Sequence, residues 1–452
     1  MKTILISGAS GFIGNAFITH LLSDPEARIV ALSRKERPSE NPRIEWRKCD
    51  LYSLKDIRES MIGCEIAYYL VHSMAPSAGL TQGEFYDFDL LMADNFVRAA
   101  HHSKLKRIIY LGGLIPHDQE ELSWHLKSRL EVEQTLRMAP CEVIALRAGL
   151  ILGKNGSSFI ILQNLVDRLH FMVLPSWTKS KSEPIAVDDV IRILSRCLNQ
   201  SISEGHSFDI GGKEKLTYRD LILRTAKVVH KKITVFYWDL ISVKLSRFWV
   251  ALVSGVPKNL VYPLVLSLKH DMLVNPHYAW PHPEDIQVPM DQALREAITS
   301  SSVAPSTYFV PTEKDVRSVQ RLTFPLKKSA EWVTEEYFRW LPRFGRPFFR
   351  VIRKDNWLSM RFLGLPKDLL VLERSEERSS PDRQLLYIRG GILSKKGGRG
   401  RLEFREVLEK QYIMAAIHEF RPTIPWFLYR YTQAIVHLWV MKAFERHLAS
   451  LR

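Results

Sequence analysis

Gly8, Gly11 and Gly14 stand three residues apart in the string Gly8-Ala9-Ser10-Gly11-Phe12-Ile13-Gly14, close to the start of a 452-residue chain. Glycines at this spacing allow a tight turn and let backbone N–H groups approach a pyrophosphate, which then rests on the positive end of the following helix. The apolar run Thr3-Ile4-Leu5-Ile6 precedes the turn, and Phe17, Leu21 and Leu22 follow it at helical spacing. A strand before and a helix after give the context that such a motif requires. The residues Gly8, Ser10, Gly11, Phe12, Ile13 and Gly14 are therefore the expected phosphate cradle. A second strand, 28–32, ends in Ser33-Arg34-Lys35. An acidic residue at this place selects a free ribose 2′-hydroxyl, whereas Ser33 and Arg34 supply donors and positive charge suited to a 2′-phosphate. The expectation is NADP(H) in preference to NAD(H).

Further strands must hold the rest of such a site. The segment 44–49 leads to Asp50-Leu51, placed to meet an adenine amino group, and 66–71 contains Leu70 and leads to His72-Ser73. The segment 107–111 ends in Gly112-Gly113, and 142–146 ends in Arg147-Ala148-Gly149. Helical patterns fill 88–101 and 122–138 between them. Alternating strands and helices give an α/β fold with a doubly wound parallel sheet, and ligands bind at the carboxyl ends of its strands. Leu70, His72, Gly112, Gly113, Ala148 and Gly149 are thus the expected lining of the cofactor groove.

Taken together, the N-terminal GASGFIG and the later pieces CDL, YYLVHSM, YLGGL, HLKSRLEVE, LRAGLILG, PIAVDDV and FDIGG resemble the extended short-chain dehydrogenase/reductases. The likeness is to an atypical, NmrA-like NAD(P)-binding subfamily and covers residues 1–300. It implies a Rossmann domain with a substrate lobe, built mainly from 150–185 and 213–285. Catalytic members carry a Tyr-x-x-x-Lys pair on the helix after the fifth strand and a Ser at that strand's end. Here His125-x-x-x-Arg129 takes the place of the pair, and Gly112-Gly113 stands where the Ser is expected. The spacing of four keeps both side chains on one helix face. The resemblance thus implies His125 as general acid or base and Arg129 as a ribose contact that also acts on the nearby histidine.

The second half changes character. Residues 299–311 are rich in Ser, Thr and Pro, and 301–328 is read as a linker. Residues 301–452 hold 28 Lys and Arg against 16 Asp and Glu, which gives +12 of the chain's formal +15. A helix is expected over 329–341, then extended segments at 347–353, 369–373, 384–393, 401–408 and 412–420, then one long helix over 425–448. This order resembles a helix-grip, START-like α+β domain, which clasps a hydrophobic ligand, and is assigned to 329–452.

Composition bounds the rest. The basic balance suits an anionic ligand or membrane surface, and no nucleic-acid module is present. Cys49, Cys64, Cys141 and Cys197 lack metal or disulfide spacing and fit a reducing cytoplasm. No metal motif is found, and Met-Lys-Thr leads straight into the first strand without a signal peptide. The apolar stretches 248–256 and 260–268, divided by Pro257-Lys258, read as two lobe helices, with a lipid-facing or quinone-facing lip as the other reading. The sequence leads to an NADP(H)-binding oxidoreductase-like protein acting on an apolar carbonyl or quinone-like substrate. The alternatives are a non-catalytic NADP(H) sensor or assembly factor, or a hydrophobic-ligand binder working through its C-terminal domain. Peripheral contact with the inner face of a membrane is a further expectation.

Overall fold

The computed structural model describes residues 2–72, 78–116, 122–199, 207–238, 243–298, 315–323, 328–395 and 397–451. Ser73 and the span 299–311 lie outside the described residues. The chain divides into two compact units, one of residues 1–74 and 92–308, the other of residues 75–91 and 309–452.

The first unit is built on a seven-stranded parallel sheet. Its strands are β1 (Lys2–Ser7), β2 (Ala27–Ser33), β3 (Ile44–Lys48), β4 (Ile66–Tyr69), β5 (Arg107–Gly113), β6 (Glu142–Ala148) and β7 (Ser207–Ile210). They lie in the order β7-β6-β5-β4-β1-β2-β3. The order reverses between β1 and β4, and such a switch point opens a crevice at the carboxyl ends of those strands. Ile4, Leu5 and Ile6 are all buried, because a parallel sheet is covered on both faces. Helix α1 (Phe12–Leu21) buries Phe17, Ile18 and Leu21 against the sheet, which fixes where its N-terminus points. Two further helices, α2 (Phe85–Ala100) and α3 (Trp124–Leu136), follow β4 and β5; the division between the units falls within α2, and α3 belongs to the first unit. Ser123 caps α3 by accepting from the Leu126 N–H.

A lobe stands on this sheet. It contains α4 (Ser157–Arg168), α5 (Tyr218–Val228), α6 (Val243–Ser254) and α7 (Lys258–Ser267). The apolar stretches 248–256 and 260–268 lie in α6 and α7 and their flanks, with Pro257 as the N-cap of α7. A two-stranded ribbon pairs Phe171–Leu174 with Thr234–Tyr237 in parallel. Phe159, Val166, Leu221, Val261 and Leu294 form the lobe's core. The lobe thus runs past 285 to Met290–Ala297, whose Leu294 is fully buried.

The second unit holds an eight-stranded sheet. In chain order its main strands are β8 (Val316–Thr323), β9 (Phe349–Lys354), β10 (Trp357–Phe362), β11 (Leu370–Arg374), β12 (Arg383–Gly390), β13 (Arg401–Val407) and β14 (Tyr412–Phe420). The order is β9-β10-β11-β12-β13-β14-β8, antiparallel throughout, and the edge beside β8 is closed by Leu80–Gln82 in parallel. Helices α8 (Ala330–Phe344), α9 (Trp426–Tyr431) and α10 (Gln433–Ser450) complete it. Tyr337 of α8 meets Phe444 of α10 at 5.0 Å and Phe404 of β13 at 5.4 Å between ring centres, so aromatic rings fill the space between helices and sheet.

Three sequence expectations are corrected here. The 301–328 linker contains β8, a strand whose pairing with β14 shifts register between Val316 and Ser318. The single helix over 425–448 is two helices, broken at Thr432 (φ −127°, ψ −86°), whose hydroxyl bonds back to the Leu428 carbonyl at 2.6 Å. The C-terminal domain does not begin at 329, since it also takes residues 75–91 from the first half of the chain.

Candidate cofactor and substrate site

The turn after β1 has the geometry of a phosphate cradle. Gly8 has φ +80°, and a Cβ there would lie 2.6 Å from the Leu70 carbonyl oxygen at the end of β4. A Cβ on Gly14 would lie 2.8 Å from the Ala9 Cα. Real Cβ atoms do not come so near, so both places require glycine. The Gly11 N–H donates to the Gly8 carbonyl at 2.9 Å and closes the turn. Gly11 is the N-cap of α1, which has no side-chain cap, so backbone donors at this end remain for a ligand. The Phe12 ring packs against Gly153 and Gly156 in the loop after β6 and pins the helix start to the lobe. The residues present fit a dinucleotide.

The other strand-end residues fall along the same edge. Ser33 ends β2 and is buried, its Oγ accepting from the Lys35 N–H at 3.2 Å, while Arg34 is exposed. Asp50 accepts from the Tyr52 N–H at 3.1 Å, and the Leu51 carbonyl accepts from Asn95 at 2.9 Å. These contacts fix the loop after β3.

Further along, a cavity of about 470 Å³ opens from the sheet into the lobe. Ile13, Gly112, Gly113, Ala148 and Gly149 wall its sheet end, together with His72, His125 and Arg129. Gly8, Ser10, Gly11, Phe12, Gly14, Ser33, Arg34, Asp50, Leu51 and Leu70 are outside this cavity. The far end of the cavity is almost wholly apolar: Leu162, Trp177, Leu221, Val250, Leu264 and Met272 are among its walls. The sequence reading missed these positions, which come from four α-helices, a 3-10 helix and a loop. For Val250 and Leu264 the available signal was the apolar content of 248–268.

His125 and Arg129 do lie on one face of α3, but Arg129 has a closer neighbour than the sequence suggested. Its guanidinium donates to His72 Nδ1 at 2.6 Å. Arginine cannot accept, so His72 Nδ1 carries the lone pair and the ring proton sits on Nε2. The His72 and His125 rings are 5.1 Å apart. Tyr110 Oη donates to the Arg129 carbonyl at 3.2 Å and holds α3 to the sheet. Arg147, one residue before Ala148, is turned away into a separate pair: it bonds both Glu133 oxygens at 2.8 Å. Burial pushes the Glu133 carboxyl up, but the Arg147 hydrogen bonds and charge outweigh it and hold the carboxyl below its ordinary range. That pair ties α3 to β6 and keeps Ala148 and Gly149 in place. Burial pushes the thiols of Cys49 and Cys197 up to about 12, so neither is a nucleophile at neutral pH.

Residues 4–125 match the NAD dependent epimerase/dehydratase family. The family is one of nicotinamide-cofactor proteins. Among curated relatives, the chain is 27% identical over 110 residues to the auxiliary protein GraX of Staphylococcus aureus, which is 24% of this chain and 36% of that protein. It is 25% identical over 229 residues to a UDP-glucose 4-epimerase of Rickettsia conorii, 46% of this chain and 65% of the relative. The chain therefore spans less than two thirds of the length of either. Among solved structures, triphenylmethane reductase of a Citrobacter species superposes with a TM-score of 0.52 at 17% identity, covering 66% of this chain and 99% of that one. A nucleoside-diphosphate-sugar epimerase of Staphylococcus aureus gives 0.51 at 14% identity, covering 66% and 100%. These structures share the fold of the first unit. Among the described residues, no helix is long and apolar enough to cross a membrane, and no group of His, Cys, Asp and Glu could hold a metal ion.

Proposed function

We propose that the first unit is an NADPH-dependent reductase of an apolar carbonyl or quinone-like acceptor. One observation carries this reading: the cavity that begins at Gly112, Gly113 and His125 continues into the lobe between apolar walls. A polar sugar nucleotide would leave hydroxyls unpaired against Leu162, Leu221 and Leu264. One solved triphenylmethane reductase of this fold is complexed with NADP(H), which supports a reductase reading.

The glycine turn holds the pyrophosphate, and Ser33 and Arg34 hold the 2′-phosphate. When bound, a reduced nicotinamide supplies a hydride at the sheet end of the cavity. As the acceptor's C=O electron pair moves onto oxygen, His125 delivers the proton that oxygen takes up. His72, with its proton fixed on Nε2, acts only as a donor from that atom, and Arg129 positions it. Peripheral contact with a membrane, in a protein of the cytoplasm, belongs to the same reading.

The test is NADPH oxidation with a panel of quinones and aromatic carbonyls, measured for wild type and His125→Ala alongside NADPH affinity. Turnover in the wild type, lost by 10²- to 10⁴-fold (an order-of-magnitude range for general acid catalysis) in His125→Ala with NADPH affinity kept, supports it. Tight NADPH binding without turnover on any acceptor overturns it in favour of a protein that holds the cofactor as a sensor.

A further inference from the structure

The outer surface of the lobe exposes large apolar side chains on two of its elements. Helix α6 has the cavity on one side, where Val250 lines it. On the other side it shows Leu245, Phe248 and Leu252 to solvent, at positions i, i+3 and i+7, and Leu252 is 68% exposed. Both flanks of the ribbon's first strand are tied to this helix. Arg168, just before the ribbon, donates to the Val253 carbonyl at 2.6 Å, and Trp177, just after its first strand, donates to Ser246 Oγ at 2.7 Å. Met172 and Leu174 point into the core, so Phe171 and Val173 point out. Phe236 pairs with Val173 across the parallel ribbon and shares its face. Phe171 is 69% and Trp238 57% exposed. Two elements thus join in one exposed apolar face, far beyond the scattered apolar residues of an ordinary surface.

The charge around this face is mostly positive. Residues 227–269 contain seven Lys and Arg and a single acidic residue, Asp239, and 168–182 contain three and none. Lys258 lies 5.2 Å from the Phe248 ring centre, and Lys179 5.2 Å from that of Tyr237. Asp167 and Asp220 stand on the neighbouring helices, where Asp220 is engaged in the capping box of α5, and Asp271 accepts from the Lys181 N–H at 2.7 Å. Aromatic and aliphatic side chains with a ring of cations match the headgroup boundary of an anionic leaflet.

We propose that this face seats the protein on a membrane carrying anionic lipid, and that the acceptor reduced in the cavity is a lipophilic molecule drawn from that leaflet past α6. The choice of acceptor source rests on the reductase reading; the docking surface does not. Phe248, Leu252, Lys232 and Lys258 are outside the cavity walls, so changing them tests docking without touching the chemistry.

The experiment is flotation of the full-length protein with vesicles of phosphatidylcholine alone and of phosphatidylcholine with phosphatidylglycerol, over a range of NaCl. The expected result is binding to the anionic vesicles, weak binding to the neutral ones, and loss with rising salt. Lys232→Gln with Lys258→Gln weakens it about 30-fold, by the usual gain of a surface cation near anionic lipid. Phe248→Ser with Leu252→Ser abolishes it while circular dichroism and the melting temperature stay as in wild type. Absence of binding to either vesicle, or binding that both double variants retain, overturns the proposal. So does a concentration-dependent dimer, seen by light scattering, that Phe248→Ser with Leu252→Ser dissolves in the absence of vesicle binding, since a second copy then covers the face. None of these readings requires turnover, so failure of docking and failure of the reductase assignment are told apart.

Discussion

Replacing Gly14 with alanine tests the cofactor cradle at its tightest point. The added Cβ would lie 2.2 Å from the Gly8 carbonyl oxygen, 2.8 Å from the Ala9 Cα and 2.9 Å from the Gly8 carbonyl carbon. Carbon atoms in contact settle at about 3.5–4.0 Å, so the turn must open by roughly 0.7 Å or more. Neither neighbour is a flexible side chain; both are backbone of the turn itself. Overpacking of this kind costs about 1–3 kcal/mol, which lowers the melting temperature of a unit this size by about 2–10 °C. The same shift moves the amides of the turn away from a pyrophosphate. Losing one hydrogen bond to a charged group costs about 1.5–3 kcal/mol, or roughly ten- to hundredfold in NADPH affinity. Titration calorimetry and a thermal melt read the two effects. Gly63→Ala is the control: Gly63 has φ +79° and no atom within 4 Å of the added Cβ, so the change strains the backbone without reaching the cradle. NADPH affinity within twofold of wild type in Gly14→Ala, with an unchanged melt, refutes the reasoning.

Arg34→Asp weakens NADPH binding by about tenfold to a hundredfold, from the loss of a charge-assisted bond to phosphate, and leaves NADH binding intact or tighter; calorimetry with both nucleotides shows whether the preference lies in this loop. In the second unit, Glu403 is fully enclosed between Arg383 at 2.6 Å and Arg405; burial pushes its carboxyl up, but the two guanidinium charges outweigh this and hold it well below the carboxylate range. Glu403→Gln leaves buried cations unmatched and costs about 3–5 kcal/mol in chemical denaturation. Because the folded pKa is depressed, the stability from Glu403 is present above the unfolded value and is lost as pH falls below it, so the variant is flat where wild type declines. Burial, helped by the charge of Arg401, lowers His418 to about 4. The unfolded chain then takes up a proton first, and stability falls by about 3 kcal/mol as pH drops from the free histidine value toward 4; urea melts of His418→Gln across that range lose this slope.

The glycine turn and the first six strands were legible because each element there carries its own signal within a few residues: an apolar run, a glycine, a strand end. The cavity was not legible, because Leu162, Leu221 and Leu264 meet only through tertiary packing of three helices. The partnership of Arg129 with His72 spans 57 residues and leaves no mark in local spacing. Strand β8 was hidden by its bulge: the buried apolar residues are Val316, Val319 and Leu322, a spacing of three where a regular strand alternates by two. The hairpin between β9 and β10 did have a signal, Asp355-Asn356, with Asp355 at φ +51°, the kind of pair that tight hairpin turns favour. Thr432 stood inside a continuous apolar pattern, and a helical period does not report the back-bonded hydroxyl that breaks it.

The short strand Leu80–Gln82 bears on how this protein can be made and divided. Its anchoring contact, from the Gly79 N–H to Asp315, closes a loop of 236 residues. During synthesis this edge emerges early and waits until nearly three quarters of the chain has been made before its partner exists. A fragment beginning at residue 309 lacks the strand that covers β8, and would offer that open edge to other chains. A fragment ending before 309 keeps the strand and has nothing to pair it with. The two units are two domains in space but not two cassettes in the gene, and a soluble half requires residues 75–91 to be grafted onto the C-terminal piece.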